Sequence, residues 1–123
     1  MRFQKPLFVV LTTLVLSACN ATAKPGQVTI YISTQAKQCE PGTGTSLKDS
    51  DNALANAGIN TERSACGVHG MPIMAMCGAK SADIHLHTID EKDLATAESL
   101  GYKSVDKLAY KGEKGYREQT CSK

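Results

Sequence analysis

The chain has 123 residues, of which 41% are hydrophobic and 21% charged, with a formal charge of +2 and no tryptophan. That length makes one small domain, and since both phenylalanines, Phe3 and Phe8, lie at the N-terminus, its core must be built mainly from aliphatic side chains. Arg2 and Lys5 precede residue 19, and the remaining twelve basic residues are balanced by twelve acidic ones, so the body of the chain is neutral and composition gives no basic patch for nucleic acid.

In chain order, the first signal is a charged start, Met1 to Lys5, followed by the apolar run Leu7 to Leu16, broken only by Thr12 and Thr13. The run is too short to span a bilayer and has the form of a signal-peptide h-region. It ends on Leu16, Ser17, Ala18 and Cys19. This segment resembles a bacterial lipoprotein signal. The resemblance implies cleavage before Cys19, a diacylglyceryl group on its sulfur and acylation of the new amine. Several acyl chains, each burying methylenes at about 0.8 kcal/mol, give stable anchoring in a lipid bilayer. Asn20 is not the aspartate associated with inner-membrane retention, so the resemblance implies the outer membrane. The alternative is an ordinary secretory signal cut near Ala21 to Ala23, which discards Cys19. The lipoprotein reading divides the chain into a signal peptide (1–18), a lipidated tether (19–27) and one α+β domain (28–123).

Val28 to Ser33 alternates, with Val28, Ile30 and Ile32 on one face, as a half-buried strand should. A glycine and proline loop over Gln38 to Thr45 follows. Ser46 and Asp49 then form an N-cap with an acidic first turn, opening a helix that carries Leu47, Leu54 and Ala57 on one face and stops at Gly58. Ile59 to Ala65 reads as a second strand, and Cys66 to Lys80 as an irregular segment rich in Gly, Met and Cys. Asp83 to Ile89 alternates again. Asp90 to Leu100 is a second amphipathic helix, with Gly101 at its stop position and a strand beyond it. Strand–helix–strand thus occurs twice, the order of a ferredoxin-like βαββαβ sandwich. In that fold the strand order is four, one, three, two. Tyr116 to Cys121 is expected to return on the fourth strand as a fifth. A thioredoxin-like arrangement shares the alternation but lacks a Cys-x-x-Cys near the first helix.

Beyond Cys19, an even count of cysteines in an exported chain predicts two disulfides. Cys66 and Cys77 flank one connection between adjacent strands, so the expected pairs are Cys66 with Cys77 and Cys39 with Cys121. A ferredoxin-like fold with a cysteine after its first strand is also similar to heavy-metal-associated domains. Those use a Cys-x-x-Cys chelate, whereas Cys39 stands alone, so the metal role is not carried over.

Cys66, His69, Met71, Met74, Met76, Cys77, His85 and His87 form the densest set of chemistry-bearing residues. Thioethers select Cu(I) and imidazoles suit copper or zinc, so His69, Met71, Met74, Met76, His85 and His87 compose an alternative metal site. The preferred reading is plainer: the cysteines are oxidised, the methionines fill gaps beneath the loop, and the histidines decorate a polar strand face. On the expected sheet, Tyr31 then lies beside His85 and His87, a contact patch for a ligand or partner.

Gly42 to Ser46 lacks the third glycine and the lysine of phosphate-binding loops. No nucleophile elbow is present either. Together these readings point to an envelope lipoprotein with a noncatalytic domain, without a cofactor, that binds a protein or small ligand. A periplasmic copper or zinc protein is the alternative.

Overall fold

The computed structural model describes residues 24–122; the signal peptide, Cys19 and the first part of the tether lie outside the described residues. The domain is α+β: β1 (Gln27–Ser33), α1 (Leu47–Asn56), β2 (Thr61–His69), β3 (Asp83–Asp90), α2 (Leu94–Ser99), β4 (Lys103–Ser104) and β5 (Tyr116–Gln119). Short 3-10 turns at Glu91–Asp93 and Val105–Leu108 precede α2 and follow β4. The five strands form one antiparallel sheet in the order β4-β1-β3-β2-β5.

The helix start follows the sequence signal. The Ser46 side chain accepts the Asp49 amide at 3.1 Å, satisfying a donor that the first turn leaves free. At the other end, Gly58 has φ +78, the left-handed conformation that lets the chain leave the helix and enter β2.

Alternation on β1 also holds. Val28, Ile30 and Ile32 face the two helices and join Leu54, Ile59, Ile89, Ala97 and Tyr102 in the main core. The opposite sheet face is not left bare: Ile84, Leu86 and Leu108 form a second core, with Tyr31, Ala65, Val105 and Tyr116 packed around it. The 3-10 turn after β4 thus covers part of the face away from the helices.

Three expectations are corrected. First, β2 continues to His69, four residues beyond its expected end, because Cys66 to Val68 pair with β3 and Cys66 to His69 pair with β5. Second, β5 pairs with β2 and not with β4. Gly67 permits this approach, since a Cβ there would lie 2.8 Å from the Arg117 carbonyl oxygen. A two-pronged Arg63–Glu118 ion pair fastens the same two strands.

The third correction concerns the disulfides: all four cysteines are paired, but as Cys39–Cys77 and Cys66–Cys121. Cys66 sits inside β2 opposite Gln119, which brings it to the end of β5 and Cys121 rather than to the connection holding Cys77. Cys77 instead meets Cys39, because the loop after β1 and the loop before β3 lie side by side through the Lys37–Lys80 bridge.

Candidate functional site

His85 and His87 are not where alternation alone put them. Their cross-strand neighbours are Ile32 and Ile30, so both histidines point to the helix-covered face and are buried. Tyr31 is opposite Leu86 and belongs to the second core, on the other side of the sheet. The expected Tyr31, His85 and His87 patch therefore does not form. Both faces of β3 carry a packed core, and its two histidines lie on the inner, helix-covered one.

His87 is fully buried and bonded at both ring nitrogens. Its Nε2 lies 2.7 Å from Ser50 Oγ, and its Nδ1 lies 2.8 Å from Asp51 Oδ1 and 2.9 Å from Ser64 Oγ. The Ser64 hydroxyl donates to the same Asp51 oxygen, and the Tyr102 hydroxyl donates to the Ser50 carbonyl at 2.8 Å. These partners fix one tautomer: Nδ1–H donates to Asp51, and Nε2 accepts from Ser50. Burial draws the His87 pKa below its ordinary value, outweighing the attraction of Asp51.

The connectivity Ser50, His87, Asp51 is that of a catalytic relay. Ser50, however, is 3% exposed, and its hydroxyl faces His87 and Tyr102 on the buried side of α1. The network instead ties α1 to β2, β3 and the start of β4. Sequence reading missed it, although a signal existed. Ser50 falls three residues after Leu47 and four before Leu54, a polar side chain within the apolar stripe, which calls for a buried polar partner.

A cavity of about 200 Å³ opens beside this network. Its walls include the start of α1 at Ser46 and Leu47, His85, Asp83, Gln119 and the Cys66–Cys121 bridge. Gly44 presses the loop before α1 onto the end of β1, where a Cβ would lie 2.6 Å from the Thr34 carbonyl oxygen. The His85 ring is 3% exposed, and its Nδ1 is buried without a hydrogen-bond partner. Burial lowers the His85 pKa against the opposing pull of Asp51 and Asp83.

The methionines correct another expectation. Met71, Met74 and Met76 do not fill gaps: they are 45%, 68% and 55% exposed, and Ile73 between them is 45% exposed. Nor is their loop loosely attached. The Gln38 side chain donates to the Met74 carbonyl at 2.7 Å and accepts the Met76 amide at 3.1 Å, and the Cys39–Cys77 bridge closes the segment. Gln38 carried no sequence signal for this clamp. His69, at the end of β2, accepts the Met71 amide on Nδ1 at 3.2 Å. Its strand parity is that of Ala65, opposite Leu86, which sets it on the other sheet face from His85 and His87. The six residues of the alternative metal set are thus divided among a buried inner face (His85, His87), the end of β2 on the other face (His69) and an exposed loop (Met71, Met74, Met76).

Among the described residues, no helix is long and apolar enough to cross a membrane. No protein-family model, curated protein or solved structure matches this chain.

Proposed function

We propose that the chain is an exported envelope lipoprotein, anchored through acylated Cys19, whose ferredoxin-like domain is a noncatalytic module that binds a protein or small ligand at the 71–76 loop. The neighbouring order β4-β1-β3-β2, with both helices packed on one face, supports the ferredoxin-like part, and β5 is an addition at the outer edge of β2.

The observation that carries the reading is an apolar loop both exposed and held. Leaving three methionines and an isoleucine in water forgoes burial worth roughly 1.5–3 kcal/mol for each large side chain, so their display needs a reason. The Gln38 clamp and the Cys39–Cys77 bridge reduce the ordering cost of binding, which is how a preorganised contact surface gains affinity.

Placement agrees with this. The tether enters at Gln27, opposite Asp90, whereas the loop leaves the other end of the sheet, where Ser33 is opposite Ile84. At roughly 3.4 Å per residue, the length of β1 separates the two ends by about 20 Å. The loop therefore points away from the anchored end.

Two experiments test the reading. A photo-crosslinking residue at position 74 should give discrete adducts in intact cells, while one at Lys92, beside the tether, should not; adducts from 92 alone refute the loop. Labelled palmitate should enter the wild type and not Cys19→Ser. Label in that variant refutes the anchor.

A second reading rests on a separate observation: all three methionines after residue 1 fall in this loop, and none is in the core. With every remaining cysteine oxidised and His85 and His87 buried, these thioethers are the soft donors left for Cu(I). Anaerobic titration of the oxidised protein should then show binding that is lost in Met74→Ala with Met76→Ala.

A further inference from the structure

We propose that the 71–76 loop is a reversible oxidation site, at which a hydroperoxide converts Met71, Met74 and Met76 to sulfoxides and turns the loop's apolar surface polar while the fold stays intact. The site stands on exposure and sulfur chemistry, and it holds whether or not the loop docks a partner.

Thioether sulfur is what the domain leaves open to an oxidant. Cys39, Cys66, Cys77 and Cys121 are all held in disulfides, so among the described residues no thiol competes for it. The chain has no tryptophan, and its one methionine outside the loop is Met1. Met71, Met74 and Met76 are all exposed, so a dissolved oxidant reaches them without any opening of the domain.

The step is an oxygen-atom transfer. A sulfur lone pair attacks one oxygen of hydrogen peroxide, the O–O bond breaks, and the departing oxygen takes up the proton of the transferred one and leaves as water. Sulfur loses two electrons and the peroxide gains them. Each flexible apolar side chain becomes polar and chiral, and sulfoxide reductases reverse the change, with one enzyme for each sulfoxide epimer.

The fold survives because the loop is held by atoms that the reaction does not touch. The Gln38 side chain bonds the Met74 carbonyl and the Met76 amide, the Gly78 amide donates to the Gln38 carbonyl at 2.9 Å, and the Met71 amide donates to His69 Nδ1. None of the three thioethers belongs to either core. Oxidation of a core methionine disrupts packing, whereas here the added oxygens enter solvent. Lys103 and Lys107 line the same surface hollow as Met71, and an ammonium donates to a sulfoxide oxygen better than to a thioether sulfur, which accepts only weakly.

The test treats the full-length chain, in detergent, with hydrogen peroxide and follows each methionine by peptide mass spectrometry. One oxygen is expected on each of Met71, Met74 and Met76, with Met74, the most exposed, reacting first. Rates in the native protein should lie within about twofold of those in urea, because unfolding exposes these side chains little further. The urea midpoint should be the same before and after oxidation, and the two reductases together should remove the added oxygen from the native protein. As an internal control, Leu54→Met places a thioether in the main core, where it should react at least about tenfold more slowly than the loop. If that variant misfolds, the comparison of native and urea rates still decides. Native protection of any of the three, a midpoint lowered by oxidation, or sulfoxides that the reductases leave in place would overturn the assignment.

Discussion

Replacing Ser50 by alanine removes one hydroxyl from beneath α1 and tests the Ser50–His87 contact directly. His87 Nε2 then loses its partner at 2.7 Å in a site with no exposure. An unsatisfied buried acceptor costs about 1–3 kcal/mol, and the better helix propensity of alanine returns about 0.5 kcal/mol. The Tyr102 hydroxyl keeps its bond to the Ser50 carbonyl, so no second buried group is orphaned. The expected net loss is about 0.5–2.5 kcal/mol, a sizeable part of the 5–15 kcal/mol typical of small domains. Urea unfolding followed by far-UV circular dichroism at pH 7.5, with disulfides intact, reads this as a lower midpoint at constant slope. The control is His87→Phe, in which the acceptor no longer exists. There Ser50→Ala should cost nothing or stabilise slightly, giving a coupling of about 1 kcal/mol or more between the two sites. Losses that add within about 0.5 kcal/mol would refute the claim that the contact, rather than either side chain alone, secures the helix.

Burial holds the pKa values of His85 and His87 below the ordinary value, so the unfolded chain binds more protons than the folded one just below about pH 6.5. Stability from both residues is complete above that pH and is lost as pH falls from it toward the folded values; the urea midpoint should drop between pH 7.5 and 5.5, and drop less in His87→Phe. Nonreducing peptide mapping should recover Cys39 linked to Cys77 and Cys66 linked to Cys121, with sequence separations of 38 and 55 residues. Closing loops of this length is worth about 4 kcal/mol each in the chain-entropy model, so Cys121→Ser should be clearly destabilised. A fluorophosphonate probe should leave Ser50 unlabelled in the native protein, and stoichiometric labelling there would overturn the structural role given to the buried relay.

Elements governed by neighbours in sequence were legible, and those governed by distant partners were not. The β1 alternation and the Ser46 cap each depend on a few adjacent residues, and both stand in the structure as read. The limit of β2 depends on β5, fifty residues away, whose backbone approaches over Gly67 and draws Cys66 into the strand. That one pairing moved Cys66 away from Cys77 and changed both disulfides. The histidines show the same limit more sharply. An alternating strand with polar residues on one face is normally half exposed, but here the turn over Val105–Leu108 covers the aliphatic face, while α1 covers the histidine face. Ser50 in the stripe of α1 and His87 in β3 are two halves of one contact, 37 residues apart. Each alone breaks a local rule: a serine among leucines, a histidine on an inner strand face. Such breaks are satisfied by partners elsewhere in the chain, so two of them in elements destined to pack are evidence for each other. Applied to His85, the same argument finds no protein partner for the buried Nδ1, and this sets it apart from His87, whose two ring nitrogens are both bonded.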